Sequence, residues 1–178
     1  MSAWRPGDRR ADSESMLRVD QAGEYGATRI YAGQLAVLRR NCPEAKLIAR
    51  MAAQEERHLK RFNQLIAERG VRPTALQPLW NVAGFALGAA TALMSERAAL
   101  ACTDAVETEI DRHYGRQLDE LAQDDPELTS DIEEFRADEL EHRDTARAAG
   151  ATNAIGYPLL TAAIRAGCRA AIALSKKI

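Results

Sequence analysis

The chain has 178 residues, enough for one domain with a sizeable core, and a net charge of −2 with both signs mixed along its length. It lacks the basic face that nucleic acid requires, so no nucleic-acid partner is expected. Apolar residues make up 46% but aromatics only 5%, with Ala and Leu dominant, which points to an all-α fold. Cys42, Cys102 and Cys168 show no CxxC or disulfide spacing and read as plain thiols of a reducing compartment.

Met1–Ser15 is polar and Arg-rich, has no apolar run and carries Asp8, Asp12 and Glu14. It does not read as a secretory signal, and the three acidic residues weigh against a transit peptide. Residues 1–17 are expected to form a disordered tail, and residues 18–178 a single domain. The first helix is predicted from about Arg18 to Arg40. Ala27, Tyr31, Leu35 and Leu38 form its apolar stripe, with Glu24 on the same stripe. Gly26 and Ala27 are small enough to let a neighbouring helix approach closely. Pro43 opens a second helix that runs to about Arg69, closed by Gly70 and Pro73. Its inner face reads Ile48, Met51, Ala52, Glu55, His58, Leu59, Phe62, Ile66, so a Glu and a His interrupt an apolar seam.

Pro73–Ser95 holds no charged residue. After Pro78 only Leu79–Met94 remain, with Asn81 among them, short of the roughly 20 residues a membrane span needs. The segment suits a position in a membrane interface, with an ordinary buried helix or a dimer seam as the alternatives. A third helix follows from Ser95 to about Ala122, with Leu100, Thr103, Glu107, Ile110, Tyr114, Leu118 and Leu121 inward. On spacing alone, His113 reads as a half-buried histidine beside the core Tyr114. Asp125 and Pro126 have the chemistry of an N-cap and a first helical residue. The fourth helix, Glu127–Ala149, turns Leu128, Ile132, Phe135, Glu139, His142 and Ala146 inward. Residues 153–178 combine Ile155, Leu159, Ile164 and Leu174 with Arg165, Arg169, Lys176 and Lys177, a second segment suited to a lipid surface.

Glu55-x-x-His58 and Glu139-x-x-His142 each put a carboxylate and an imidazole on one side of a helix. Glu24 precedes the first pair by 31 residues, and Glu107 precedes the second by 32. One Glu from each of two helices plus Glu-x-x-His from each of two others is the di-iron or di-manganese carboxylate pattern of ferritin-like four-helix bundles. Four buried carboxylates without counter-charge would cost several kcal/mol each, and two divalent cations balance them. A mixed carboxylate–imidazole set suits iron or manganese. Glu24 and His58 are placed on one metal, Glu107 and His142 on the other, with Glu55 and Glu139 bridging.

The stretch Arg18-Val19-Asp20-Gln21-Ala22-Gly23-Glu24-Tyr25-Gly26-Ala27, with Arg29-Ile30-Tyr31-Ala32-Gly33-Gln34, resembles the first-helix signature of the demethoxyubiquinone hydroxylases of ubiquinone biosynthesis. Glu55-Glu56-Arg57-His58-Leu59, Ala101-Cys102-Thr103 leading to Val106-Glu107, His113-Tyr114 and Glu139-Leu140-Glu141-His142 resemble the same family, so the likeness covers nearly all of the chain from Arg18. It implies a monooxygenase with two iron ions that uses O₂ to hydroxylate the ring of a polyprenyl methoxy-benzoquinol, the penultimate step to ubiquinone. It implies two electrons from outside, from a nicotinamide such as NADH, from a flavin donor or from the quinol itself, and with no dinucleotide fingerprint no separate reductase domain is expected. It gives His113 and Tyr114 a role in proton or electron movement, and it gives segments 73–95 and 153–178 a reason: the isoprenoid substrate resides in lipid. A peripheral place on the cytoplasmic face of a bacterial inner membrane, or the matrix face in mitochondria, follows, as do a lipid-binding pathway partner and self-association. The link between the third and fourth helices is shorter than in the family and should move no ligand. Two other readings share these residues: a ferritin-type ferroxidase or iron store, and a non-catalytic scaffold of the ubiquinone-synthesis complex.

Overall fold

The computed structural model describes residues 12–121 and 124–177. Its order is α1 (Ser13–Val37), α2 (Pro43–Arg69), α3 (Gln77–Met94), α4 (Glu96–Leu121), α5 (Pro126–Ala148), a 3-10 turn (Ala151–Asn153) and α6 (Tyr157–Ser175), with no strand among the described residues. The first helix starts earlier than its apolar pattern suggested. Asp12 accepts the amide of Ser15 at 3.1 Å as N-cap, and Met16 and Leu17 are buried against Phe62, Leu65 and Leu128. The end of the expected disordered tail is therefore helix and core, because those two apolar side chains have a tertiary partner that no local pattern reveals. The rest of that expectation, residues 1–11, lies outside the described residues.

Local chemistry sets the helix ends. Pro43 stands in the first turn of α2, where its missing N–H costs nothing, and Gly70 closes α2 at φ 64°, a left-handed value that side chains resist. Asp125 caps α5 by accepting the Leu128 amide at 3.1 Å.

α1, α2, α4 and α5 pack around one another, while α3 lies on the outside of α1 and α6 on the outside of α4. Two apolar plugs fill the interior. One joins Tyr31, Ile48, Met51, Leu100 and Ala146; the other joins Leu17, Phe62, Tyr114, Leu128, Ile132 and Phe135. Glu24, Glu55, Glu107 and Glu139, one on each of the four helices, each fall between a member of the first plug and a member of the second, so the layer between the plugs is polar.

The seams differ in chemistry. α1 and α3 cross backbone to backbone. A Cβ added at Gly33 would lie 2.1 Å from the Phe85 carbonyl oxygen, and one at Gly88 would lie 1.9 Å from that of Ile30. The close approach thus falls on Gly33, Gly84 and Gly88, while a Cβ at Gly26 would meet nothing within 4 Å. α2 and α5 instead meet through long charged side chains. Arg57 pairs with Asp138, Arg61 with Asp131 at 2.8 Å and Glu127 at 3.0 Å, and Arg69 with Asp125 and with Glu127 at 2.8 Å.

α3 and α6 turn an apolar surface outward. Leu79, Val82, Phe85, Leu93 and Met94 are exposed on the first, Leu159 and Leu174 on the second, and Ile155 just before α6 is 94% exposed. Trp80 donates its indole N–H to Ser175 Oγ at 3.0 Å and ties the start of α3 to the end of α6. Among the described residues, no helix is long and apolar enough to cross a membrane.

Candidate metal centre

The polar layer between the plugs contains Glu24 from α1, Glu55 and His58 from α2, Glu107 from α4, and Glu139 and His142 from α5, all buried. They form two overlapping groups. Glu24, Glu55, His58 and Glu139 place donor atoms within 4.8 Å of one another, and so do Glu55, Glu107, Glu139 and His142. Glu55 and Glu139 belong to both. Each turns one oxygen toward either imidazole: Glu55 Oε2 lies 4.0 Å from His58 Nδ1 and Oε1 lies 3.1 Å from His142 Nδ1. Glu139 Oε1 and Oε2 lie 3.3 Å from His58 Nδ1 and His142 Nδ1 respectively. Glu24 Oε2 lies 3.6 Å from His58 Nδ1.

The outer atoms of this set are satisfied and the inner atoms are not. Tyr114 donates to Glu24 Oε1, and Tyr31 donates to Glu107 Oε1 at 2.7 Å. Among the described residues, Glu24 Oε2, both oxygens of Glu55 and of Glu139, Glu107 Oε2, and Nδ1 of both histidines have no hydrogen-bond partner. Buried polar atoms are normally paired. Eight orphans converging on one layer match the donor set of two cations with carboxylate and imidazole ligands, the chemistry that suits iron or manganese.

Electrostatics carries the same message. Burial and the facing carboxylates of Glu139, Glu24 and Glu107 push Glu55 well above the carboxylate range. Burial and Glu139 do the same to Glu107. Burial alone would lower His58, but the carboxylates of Glu139 and Glu24 facing its Nδ1 outweigh it and push the imidazole up to about 10. His142 is lowered, chiefly by burial. Burial and adjacent carboxylates lift Tyr31 and Tyr114 well above the phenol range, so both stay protonated as donors. Without added positive charge the cluster holds protons that cations would displace.

His113 and Tyr114 separate. Tyr114 is buried against Glu24, whereas His113 Nε2 stands 3.1 Å from Asp20 Oδ1, which also accepts from Gln117 at 2.8 Å. Both residues border a cavity of about 550 Å³ between α3 and α6, floored by α1 and α4. Its walls are apolar: Trp80, Gly84 and Leu87 on one side, Leu160, Ile164 and Ile172 on the other, Ala27 and Val106 below. At its inner end, Tyr114 separates it from Glu24.

Residues 11–175 match the model of a family described as ubiquinone biosynthesis protein COQ7. The chain belongs to the COQ7 family. Within that family it is 53% identical over 165 residues to 3-demethoxyubiquinol 3-hydroxylase of Rhodospirillum rubrum, covering 93% of this chain and 78% of that one. It is 52% identical over 172 residues to the NADPH-dependent 3-demethoxyubiquinone 3-hydroxylase, mitochondrial, of Mus musculus, covering 94% and 79%. It is 44% identical over 181 residues to 5-demethoxyubiquinone hydroxylase, mitochondrial, of Saccharomyces cerevisiae, covering 93% and 78%.

The structure of this COQ7-family chain adds residues that periodicity did not single out. Asp138 and Gln54 hold the outer nitrogens of the two histidines, each at 3.0 Å. Tyr31, read only as core, holds Glu107. A signal for the first two exists: each directly precedes the Glu of one Glu-x-x-His motif and reaches across to the His of the other.

Proposed function

We propose that this chain is a 3-demethoxyubiquinol hydroxylase, a ferritin-like four-helix bundle whose buried Glu and His residues would hold two irons and which hydroxylates the ring of a polyprenyl methoxy-benzoquinol with O₂. The observation that carries the reading is the pair of overlapping donor groups sharing Glu55 and Glu139. Glu24 and His58 would hold one iron, Glu107 and His142 the other, and the two shared carboxylates would bridge them. The family match and the names of the relatives support the substrate class. When bound, the metal pair supplies the oxygen activation that no side chain can.

The protein's part is to position, exclude water and manage protons. The apolar slot between α3 and α6 takes the isoprenoid tail, and its volume fits a small lipophilic ligand. The slot delivers the ring to Tyr114, which lines it and donates its hydroxyl to Glu24. Tyr114 keeps a proton at Glu24, and His113, beside Asp20 on the cavity wall and partly exposed, links the cavity to solvent. This pair is the reading's route for proton or electron entry. Reducing equivalents come from an external donor, a nicotinamide such as NADH; the mouse relative's name specifies NADPH. The exposed apolar faces of α3 and α6 seat the protein on the lipid in which the substrate is dissolved, at the cytoplasmic face of a bacterial inner membrane or the mitochondrial matrix face.

The test is to load the metal-free chain with ferrous iron anaerobically, add a short-chain demethoxyquinol and O₂, and weigh the product. One added oxygen atom in the quinol, absent with Glu139→Ala, upholds the reading. Iron oxidation with no change in the quinol would leave a ferroxidase instead.

A further inference from the structure

The centre is nearly two-fold. Each half has a terminal glutamate capped by a tyrosine hydroxyl, Tyr114 on Glu24 and Tyr31 on Glu107. Each half has a histidine whose Nδ1 faces the shared carboxylates. The symmetry breaks at the outer nitrogens. His58 Nε2 lies 3.0 Å from Asp138 Oδ2, and Asp138 is itself paired with Arg57. His142 Nε2 lies 3.0 Å from Gln54 Oε1, a neutral amide.

The difference has a direct physical effect. A histidine that ligates through Nδ1 carries its proton on Nε2 and donates it outward. A carboxylate acceptor draws that proton more strongly than an amide does, which makes the imidazole a better electron donor to the cation. Asp138 also adds a negative charge to one half alone. Arg57, with its side chain 55% exposed, is largely screened by water and cancels only part of the Asp138 charge at the metal. Phe135 stacks on the His58 ring with centroids 4.1 Å apart, so the imidazole cannot swing away from Asp138 without losing that contact. No comparable ring contact on His142 is found among the described residues.

We infer that the two metal positions are unequal: the first ion enters the Glu24–His58 half and the second the Glu107–His142 half, with Asp138 and Gln54 as the positioning residues that set the order. This rests on the proposed two-metal reading of the centre.

The experiment is an anaerobic titration of the full metal-free chain with ferrous ion, followed by calorimetry and by Mössbauer spectroscopy at one equivalent. The wild type should bind in two resolved steps and show one dominant iron environment at one equivalent. Asp138→Asn should weaken the first step by about 10- to 100-fold, the usual cost of losing a ligand's outer partner, and leave the second step in place. It should also bring a second environment into the one-equivalent spectrum. Gln54→Glu should tighten the second step and narrow the gap from the other side. Because Gln54→Glu adds a charge at a separate place, it tests the idea even if Asp138→Asn fails to fold. Two equally populated environments in the wild type at one equivalent, or an Asp138→Asn effect on the second step only, would overturn the inference while leaving a two-metal centre intact. A wild type that binds no ferrous ion at all overturns both.

Discussion

Two tyrosine hydroxyls do for the terminal carboxylates what water would do elsewhere. Tyr31 is buried, and its one strong acceptor is Glu107 Oε1. Tyr31→Phe removes that donor without changing the shape of the site. Leaving a buried carboxylate oxygen unpaired costs about 1–3 kcal/mol. The metal-free variant should therefore lose that much stability in urea denaturation; an unchanged midpoint would show that the bond carries none of it. The protonation of the cluster gives a second expectation. Glu55 and Glu107 have raised values, and His58 is raised from 6.5 to about 10. For all three, the stability linked to the bound proton is present at low pH and is lost as pH climbs through the folded-state value. Glu24 runs the other way: burial opposes the shift, but the nearby His58 imidazole holds it below its ordinary value, so its share is lost in acid. With metal removed, the melting temperature should fall between about pH 6.5 and 10. With ferrous iron bound it should hold or rise, since the ligands must shed protons to coordinate. Calorimetric melts across that range check this, and parallel curves for the two forms would refute it. The six side chains that meet were readable because a spacing was stated twice on apolar stripes. Asp138 and Gln54 were not, although each adjoins a motif Glu. A step of one residue turns a helical side chain about 100°, and what it meets there depends on how α2 and α5 face each other, which no local spacing encodes.

Helix α2 was legible end to end because Pro43 and Gly70 punctuate it chemically. The start of α1 and the partners of α4 were not. α4 buries Asp104 and Glu109 as well as Glu107, which an amphipathic reading assigns to water. They are inside because α5 and α6 cover those faces: Arg147 pairs with Asp104 at 2.8 Å, Tyr157 also bonds it, and Arg169 pairs with Glu109 at 2.8 Å. Residues 153–178 showed an amphipathic segment but not which helix it would cover. The glycines divide in the same way. Gly33 and Gly88 permit the α1–α3 crossing, so Gly88→Ala must push the two backbones apart at a cost of about 1–3 kcal/mol or more. Gly23 borders the slot, with nothing within 4 Å of an added Cβ. Gly23→Ala should stabilise the helix by about 1 kcal/mol. Equal denaturation midpoints for the two variants would contradict the crossing as described.

At the scale of the whole molecule, the apolar outer faces of α3 and α6 flank the slot. Burying a side chain such as Val82 or Leu159 in lipid is worth about 1.5–3 kcal/mol. A Val82→Glu, Leu159→Glu double variant should associate with phospholipid vesicles at least about tenfold more weakly, while melting at the same temperature because both side chains are exposed. Co-sedimentation and a thermal melt decide it; undiminished vesicle association would remove the lipid-docking role from these faces.

The arginine ladder between α2 and α5 has a consequence of its own. Charge pairs at a surface lose strength once the Debye length falls toward their separation, whereas greasy contacts tighten in sulfate and similar salts. Raising sodium sulfate concentration therefore pulls the walls of this protein in opposite directions, and the first amides to exchange faster should be those of α5 facing Arg57, Arg61 and Arg69. Brine, in other words, loosens one edge of the barrel of helices while cinching the others.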